Sequence, residues 1–283
     1  MMPDSVEKIG ESRVQHGHFN NRAYVMRLDP SDIPEIIPRL GALVEKNGYT
    51  KIVIRVPEHA KDPFISAGYV TEAEVPGFYA GSETALFMGK FTVPGRALNR
   101  SPDLIADVLA KARAHIPAEY KPHLPRGFSL VEAAPEDAER IATLYRETFE
   151  SYPFPVFDPA FIRQTLEEDV RYFCVLHEGE IVAVASCDVN DGAKNAEMTD
   201  FATSLSFRGQ GLAGCLLHAM EEYLKEKGIL ISYTIARATS YPMNVTFARA
   251  GYQYGGTLLN NTNICGTLES MNVWYKRPVR RQA

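Results

Sequence analysis

The chain has 283 residues, enough for one large or two modest domains and for a sizeable buried core. Its 45% hydrophobic and 23% charged residues match an ordinary soluble globular protein and exclude a disordered or fibrous chain. A net charge of −5 with pI 5.9 offers no electrostatic case for nucleic acid. No apolar run approaches the roughly 20 residues of a membrane span. A cytoplasmic protein without nucleic-acid or membrane partners is therefore expected.

The four cysteines (Cys174, Cys187, Cys215, Cys265) are far apart, with no Cys-x-x-Cys pair. They read as small hydrophobes in a reducing compartment, and no metal is expected. His16 and His18 are assigned to a flexible, solvated terminus. The short basic tail Lys276-Arg277-Pro278-Val279-Arg280-Arg281 reads as a solvated end.

Along the chain, residues 24–28 read as a strand, 33–46 as a helix stopped by Asn47-Gly48, and 51–56 as an apolar strand. Phe64-Ile-Ser-Ala-Gly-Tyr69 follows, then a strand at 85–91. Residues 91–125 are rich in proline (Pro94, Pro102, Pro117, Pro122, Pro125) around one helical pattern at 104–115. They read as a connector, with a domain boundary near residue 120. Downstream come a strand at 128–133, helices at 137–149 and 159–168, and a hairpin of 171–177 and 180–188 turned at Glu178-Gly179. A strand at 196–205, a helix at 212–227, a strand at 229–236, a helix at 243–250 capped by Gly251, and strands at 254–264 and 270–276 complete the order.

The most informative stretch is Ser206-Phe207-Arg208-Gly209-Gln210-Gly211-Leu212-Ala213, an Arg-x-x-Gly-x-Ala turn between strand and helix. Such a turn leaves backbone N–H groups unpaired at the positive end of a helix dipole, a cradle for pyrophosphate. It is neither a Walker loop nor a Rossmann fingerprint. With the order β-α-α-β-β-β-α-β-α-β-β around it, the motif resembles the acetyl-coenzyme A loop of the GNAT acetyltransferases. The resemblance implies a mixed α/β sheet of the GNAT acyl-CoA N-acyltransferase type over residues 121–283. Phe64–Tyr69 echoes Phe247-Ala-Arg-Ala-Gly-Tyr252, so residues 1–120 are expected to form a degenerate half-GNAT unit without a cofactor loop. Packing, dimerisation or substrate-lid duty is expected of it, which makes a homodimer a candidate assembly.

Glu197-Met-Thr-Asp-Phe-Ala-Thr203, Tyr233-Thr-Ile-Ala-Arg-Ala238, Ser240-Tyr241-Pro-Met-Asn244 and Tyr254-Gly-Gly-Thr-Leu-Leu-Asn-Asn-Thr-Asn-Ile-Cys-Gly266 together resemble the β-lysine N6-acetyltransferases. That resemblance implies acetyl-CoA as co-substrate and acetylation of the terminal amine of β-lysine to Nε-acetyl-β-lysine, a compatible solute. By the same resemblance Phe201, Ala202 and Thr203 pair with the pantetheine arm, and a backbone N–H of that strand stabilises the oxyanion. The amides of Arg208, Gly209, Gln210, Gly211, Leu212 and Ala213 meet the pyrophosphate, and Asn244 steadies the pantetheine.

An ammonium of pKa about 10 must lose a proton before it attacks. Glu197 is the preferred base, with Asp200 the alternative or an ammonium-binding group. Three residues apart, they face opposite sides of a regular strand unless a bulge intervenes. The tyrosine that commonly protonates the leaving thiolate is replaced by Phe247. Tyr241 is the substitute expected, Tyr233 a second option, and a thiolate leaving unaided a third. Arg237, Asn261 and Asn263 are the candidates for the acceptor's far end, with Asn261 and Asn263 on one face of a strand and Asn260 and Thr262 on the other. A different acceptor amine (lysine, a polyamine, a protein amine) or a non-catalytic acyl-CoA sensor are the alternatives.

Overall fold

The computed structural model describes residues 4–114, 116, 121–264 and 266–277. Cys265 and residues 278–283 of the basic tail lie outside the described residues. In chain order the strands are β1 (Ser5–Ile9), β2 (Ser12–Gly17), β3 (Arg22–Arg27), β4 (Lys51–Pro57), β5 (Val70–Tyr79), β6 (Glu83–Phe91), β7 (Phe128–Glu132), β8 (Val170–His177), β9 (Glu180–Asn190), β10 (Asn195–Thr203), β11 (Ile231–Arg237), β12 (Gln253–Ile264) and β13 (Thr267–Lys276). The helices are α1 (Ile36–Asn47), α2 (Asp62–Ser66), α3 (Pro102–Ala114), α4 (Ala138–Thr148), α5 (Pro159–Glu167), α6 (Leu212–Glu226) and α7 (Tyr241–Arg249).

All thirteen strands form one sheet, in the order β1-β2-β3-β4-β6-β5-β12-β13-β11-β10-β9-β8-β7. Read outward from the β5/β12 junction, the two halves repeat one pattern: a hairpin, a parallel pair and further antiparallel strands. The parallel pairs are β3 with β4 and β10 with β11, each joined by a crossover helix, α1 or α6.

The junction is narrow. Gly256 of β12 pairs with Ala73 of β5. A Cβ on Gly256 (φ +146°) would come within 2.3 Å of the Glu72 carbonyl, and one on Gly255 within 2.5 Å of the Glu74 carbonyl. The Gly-Gly pair is therefore what lets the two backbones meet. Beside it a shared apolar core joins Ala73, Val75, Phe78 and Phe87 to Ile231, Tyr233, Leu258, Met271 and Val273.

Polar groups complete the joint. Lys51 and Glu72 form a buried ion pair at 2.7 Å, and the pair clasps one residue of β12. Lys51 Nζ donates to the Leu259 carbonyl (2.8 Å), and Leu259 N–H donates to Glu72 (2.6 Å). Asn260, in the left-handed region at φ +43°, donates to the carbonyls of Arg96 (2.8 Å) and Leu98 (2.7 Å). Arg96 in turn donates to the Asn260, Asn20 and Thr50 oxygens.

Several expectations need correction. His16 belongs to β2, where its ring nitrogens contact Tyr49 Oη (3.1 Å) and Glu7 (3.0 Å), so this segment is strand and not a loose terminus. The alternation that would have marked β2 is hidden because both of its faces are covered, Val14 in the apolar core and Gln15 at the cavity wall. The helical segment read as part of a connector is α3, which buries Ile105, Val108 and Ala112. Tyr241 of α7 meets it through Asp107.

Candidate active site

Parallel pairing of β10 with β11 runs only from Asn195–Glu197 against Ile231–Tyr233. Beyond Tyr233 the strand β11 continues to Arg237 and β10 to Thr203 with no bonds between them, so the facing edges part. Against β9, the register of β10 shifts between Thr199 and Ala202. Asp200 sits in this bulge at φ +56°. The bulge breaks the alternation, and Glu197 and Asp200 both line one cavity of about 860 Å³.

At the end of β10 the glycine loop leads into α6. Gly209 (φ +81°) and Gly211 (φ +77°) adopt the left-handed conformation, and no atom lies within 4 Å of a Cβ built on either. Internal hydrogen bonding of the loop backbone stops at Arg208 N–H and resumes at Gly214 N–H, leaving the N–H groups of Gly209, Gln210, Gly211, Leu212 and Ala213 without an acceptor among the described residues. The surface there is open, cationic at Arg208 and backed by a fifteen-residue helix. These are the properties a pyrophosphate requires. Phe201 and Phe247 meet edge to face at 5.6 Å on the cavity wall.

Glu197 is the focus of the cavity's charges. Tyr233, its register partner on β11, donates to Glu197 Oε2 at 3.0 Å, and no described residue donates to the other oxygen. Burial pushes its carboxyl up to about 7; Arg55 and the Tyr233 hydrogen bond oppose the shift, while Asp188 and Asp200 add to it. Arg55 comes from β4. It donates to the Tyr233 hydroxyl and to the Met26 carbonyl, and lies over the rings of Tyr24, Phe78 and Tyr233 at 5.6–5.9 Å. Asp200 is also raised by burial, but its oxygens are occupied. They accept from Tyr152 (2.6 Å), Ser186 (2.5 Å) and Thr199 (3.3 Å).

Other expected site residues lie elsewhere. Tyr241, at the first turn of α7, is absent from the cavity wall and donates to Asp107 of α3 beneath Lys111. Asn244 is fully buried. Its amide donates to the carbonyls of Arg237 (2.9 Å) and Ser240 (2.7 Å), and its oxygen accepts from Asn272 and Trp274, both at 2.8 Å. With every hydrogen-bonding position filled, its side chain fixes the end of β11 and has none left for a pantetheine arm.

Asn263 also leaves the cavity: it donates to the Phe19 carbonyl (2.9 Å) and ties β12 to the β2–β3 turn. Asn261 and Thr262 line the cavity together because the β12 register shifts between Leu258 and Thr262, cancelling the expected alternation. Arg237 lines it too, with Glu269 already on its guanidinium at 3.2 Å. Sequence reasoning missed Arg22, Arg55, Tyr152 and Asp188. The available signal was a charge inside an apolar strand, as in Lys51-Ile-Val-Ile-Arg55-Val, which marks a buried polar task.

Two parallel strands that part at a bulge, above a glycine loop opening a helix, define an acyl-coenzyme A N-acetyltransferase. The sequence model of the Acetyltransferase (GNAT) family matches residues 138–252. The chain is 36% identical to the β-lysine N(6)-acetyltransferase of Methanococcus maripaludis, over 96% of its own length and 98% of the relative's. It is 32% identical to the enzyme of that name from Methanosarcina mazei (86% and 96%) and 30% identical to N-acetyltransferase YodP of Bacillus subtilis (98% and 100%). The chain belongs to the GNAT acetyltransferase family, whose members use acetyl-CoA. Among the described residues no helix is long and apolar enough to cross a membrane.

Proposed function

We propose that the protein transfers the acetyl group of acetyl-CoA to the N6 amine of β-lysine, giving Nε-acetyl-β-lysine, which would serve as a compatible solute. The observation that carries the chemistry is Glu197: a carboxylate lining the cavity, with one oxygen uncommitted and a pKa raised to about 7. The acceptor is supported by the near full-length likeness to curated β-lysine acetyltransferases.

Acetyl-CoA supplies an activated thioester. The open N–H groups of 209–213 and the Arg208 side chain would hold its pyrophosphate, and the unpaired edge of β10 at Phe201–Thr203 its pantetheine arm. Glu197 accepts a proton from the acceptor's ammonium, freeing the lone pair that forms the new N–C bond as the C–S bond breaks; the second proton, lost from the acylated nitrogen, passes to the departing thiolate to give free CoA. A base of pKa about 7 is half ionised at neutrality and is a stronger base than an ordinary carboxylate, the compromise under which proton transfer is most effective. Tyr233 and Arg55 keep that carboxylate from rising further. Phe247 carries no proton to give, Tyr241 is turned to α3, and Tyr233 spends its proton on Glu197, so the thiolate, a good leaving group, departs without a dedicated phenol. Residues 121–283 carry this chemistry in the proposal, while residues 1–120 close the acceptor cavity.

The test is thiol release from acetyl-CoA with β-lysine, α-lysine, spermidine and a lysine peptide, with the product located by mass spectrometry. Preferred acetylation of β-lysine at N6 supports the proposal; preference for another amine of the panel sinks it.

A further inference from the structure

The N-terminal half brings a buried cation to the cavity that no described carboxylate contacts directly, although Asp4 and Glu197 both act on it through the cavity. Arg22 of β3 is 3% exposed and lines the cavity. Its Nη1 donates to the Asn261 carbonyl (2.6 Å) and Thr262 Oγ1 (3.0 Å), which fixes the guanidinium against β12. The opposite edge is nearly idle: Nη2 has only a 3.5 Å contact to Gln15 Oε1, and buried Nε has no partner among the described residues. No described aspartate or glutamate lies within ion-pair distance, and burial lowers its pKa to about 10. A guanidinium held dry and unpaired is costly unless an anion joins it. The Nε–Nη2 edge is the one that grips a planar carboxylate with two parallel hydrogen bonds.

Beside it is a complementary orphan. Asn261 lines the same cavity, and its Oδ1 is buried without a donor among the described residues. An unused donor edge and an unused acceptor side by side match a carboxylate with a neighbouring ammonium. Arg55 is the weaker candidate, since both its terminal nitrogens already donate within the protein. Arg22 and Glu197 line the same cavity, so one extended molecule lying in it can meet both groups.

We propose that Arg22, supported by Gln15 and Asn261, forms a carboxylate subsite that takes the acid end of the acceptor while its distal amine lies at Glu197. The N-terminal half thereby selects amino acids over plain polyamines. This rests on the acceptor being a diamino acid, as proposed above, but is tested separately from it.

The experiment measures calorimetric binding to the full chain, alongside steady-state kinetics, for acid and amide pairs: β-lysine with β-lysinamide, and α-lysine with lysinamide. 1,4-Diaminopentane, which is β-lysine without its carboxyl group, is a third probe. In the wild type the acid is expected to bind at least about tenfold more tightly than its amide or the diamine, the range for a charge-assisted contact. Arg22→Gln should raise KM for the acid at least about tenfold, leave kcat within about threefold, and bring the acid-to-amide ratio near one. Arg22→Lys, which keeps the charge but loses the fork, should fall between them.

Loss of folding would lower acid and amide together and leave their ratio unchanged, and the wild-type comparison needs no variant. Equal binding of acid and amide by the wild type, or an acid preference that survives Arg22→Gln in a folded protein, overturns the subsite. If α-lysine but not β-lysine is the acceptor and shows the same Arg22-dependent preference, the β-lysine reading falls and the subsite stands.

Discussion

Glu197→Gln tests the proposed base through two observables that move in opposite directions. The substitution keeps the shape and the Tyr233 hydrogen bond but cannot accept a proton. Removing a general base costs about 10²–10⁴ in rate, so kcat at pH 7.5 should fall within that range. The wild-type rate should rise with pH through about 7 as Glu197 ionises, and flatten above it. The variant should lack that limb and climb roughly tenfold per pH unit toward the amine's own pKa of about 10, where free amine no longer needs a base.

Stability supplies the second arm. The folded pKa of about 7 lies above the ordinary 4.5, so the folded state holds the proton more tightly than the unfolded chain does. The contribution of Glu197 to wild-type stability is therefore fullest below pH 4.5 and is lost as pH rises through 7. A shift of about 2.5 units corresponds to about 3 kcal/mol lost by pH 8, an upper figure for a side chain that borders a cavity. Glutamine escapes that loss. Urea titrations at pH 5 and 8 should show the variant gaining on the wild type by about 2–3 kcal/mol between the two. A variant that retains activity within a few-fold, or a stability difference that does not change with pH, would refute the assignment.

Tyr233→Phe removes the hydrogen bond that holds Glu197 down, so the acidic limb of the kcat/KM profile should move up by about one pH unit, the worth of one hydrogen bond to a charged group. Gly211→Val forces a side chain into φ +77° at a strain of about 1–3 kcal/mol and covers the open N–H groups; KM for acetyl-CoA should rise at least about tenfold while KM for the acceptor stays put. Lys51→Met strands Glu72 at the joint between the halves, and denaturant titration should show a loss of about 3–5 kcal/mol. Tyr241→Phe should leave kcat and its pH dependence unchanged, because the hydroxyl is spent on Asp107; a fall in kcat of about tenfold or more in that variant would return Tyr241 to the role of acid.

The elements most legible in the sequence were those whose burial follows a single period. α6 buries Leu212, Leu216, Leu217, Met220 and Leu224 at helical spacing, and its glycine turn announces itself by residue type. The sequence states the bulge at Asp200 only as a condition, since two acids three apart share a face only where the strand is irregular. β2 and β5 were harder to read, since both faces of β2 are covered and β5 meets another strand edge-on at Ala73. Asn260, Asn261 and Asn263 looked alike on paper, yet one caps Arg96 and Leu98, one lines the cavity and one anchors a turn. A single irregularity in β12 separates them, and no pattern of residue types reports where a register shifts.

The joint between the halves explains why the irregularity lies where it does. A regular β12 would alternate its asparagines and send every other one away from the N-terminal half. With its register broken between Leu258 and Thr262, successive residues reach that half. Leu259 is clasped by Lys51 and Glu72, Asn260 bonds the Arg96 segment, and the Asn261 carbonyl holds Arg22. The same contacts that weld the sheet thus set the position of the cation proposed to read the acceptor. Phe78 and Phe87, packed on Tyr233, do likewise for the base through its phenol partner. Removing residues 4–91 would expose Leu258, Met271 and Val273 and also release Tyr233 from Arg55. Folding and acceptor recognition rest on one set of contacts, so substitutions at the joint should raise acceptor KM and lower stability together, whereas the glycine loop, remote from the joint, should lose acetyl-CoA affinity alone.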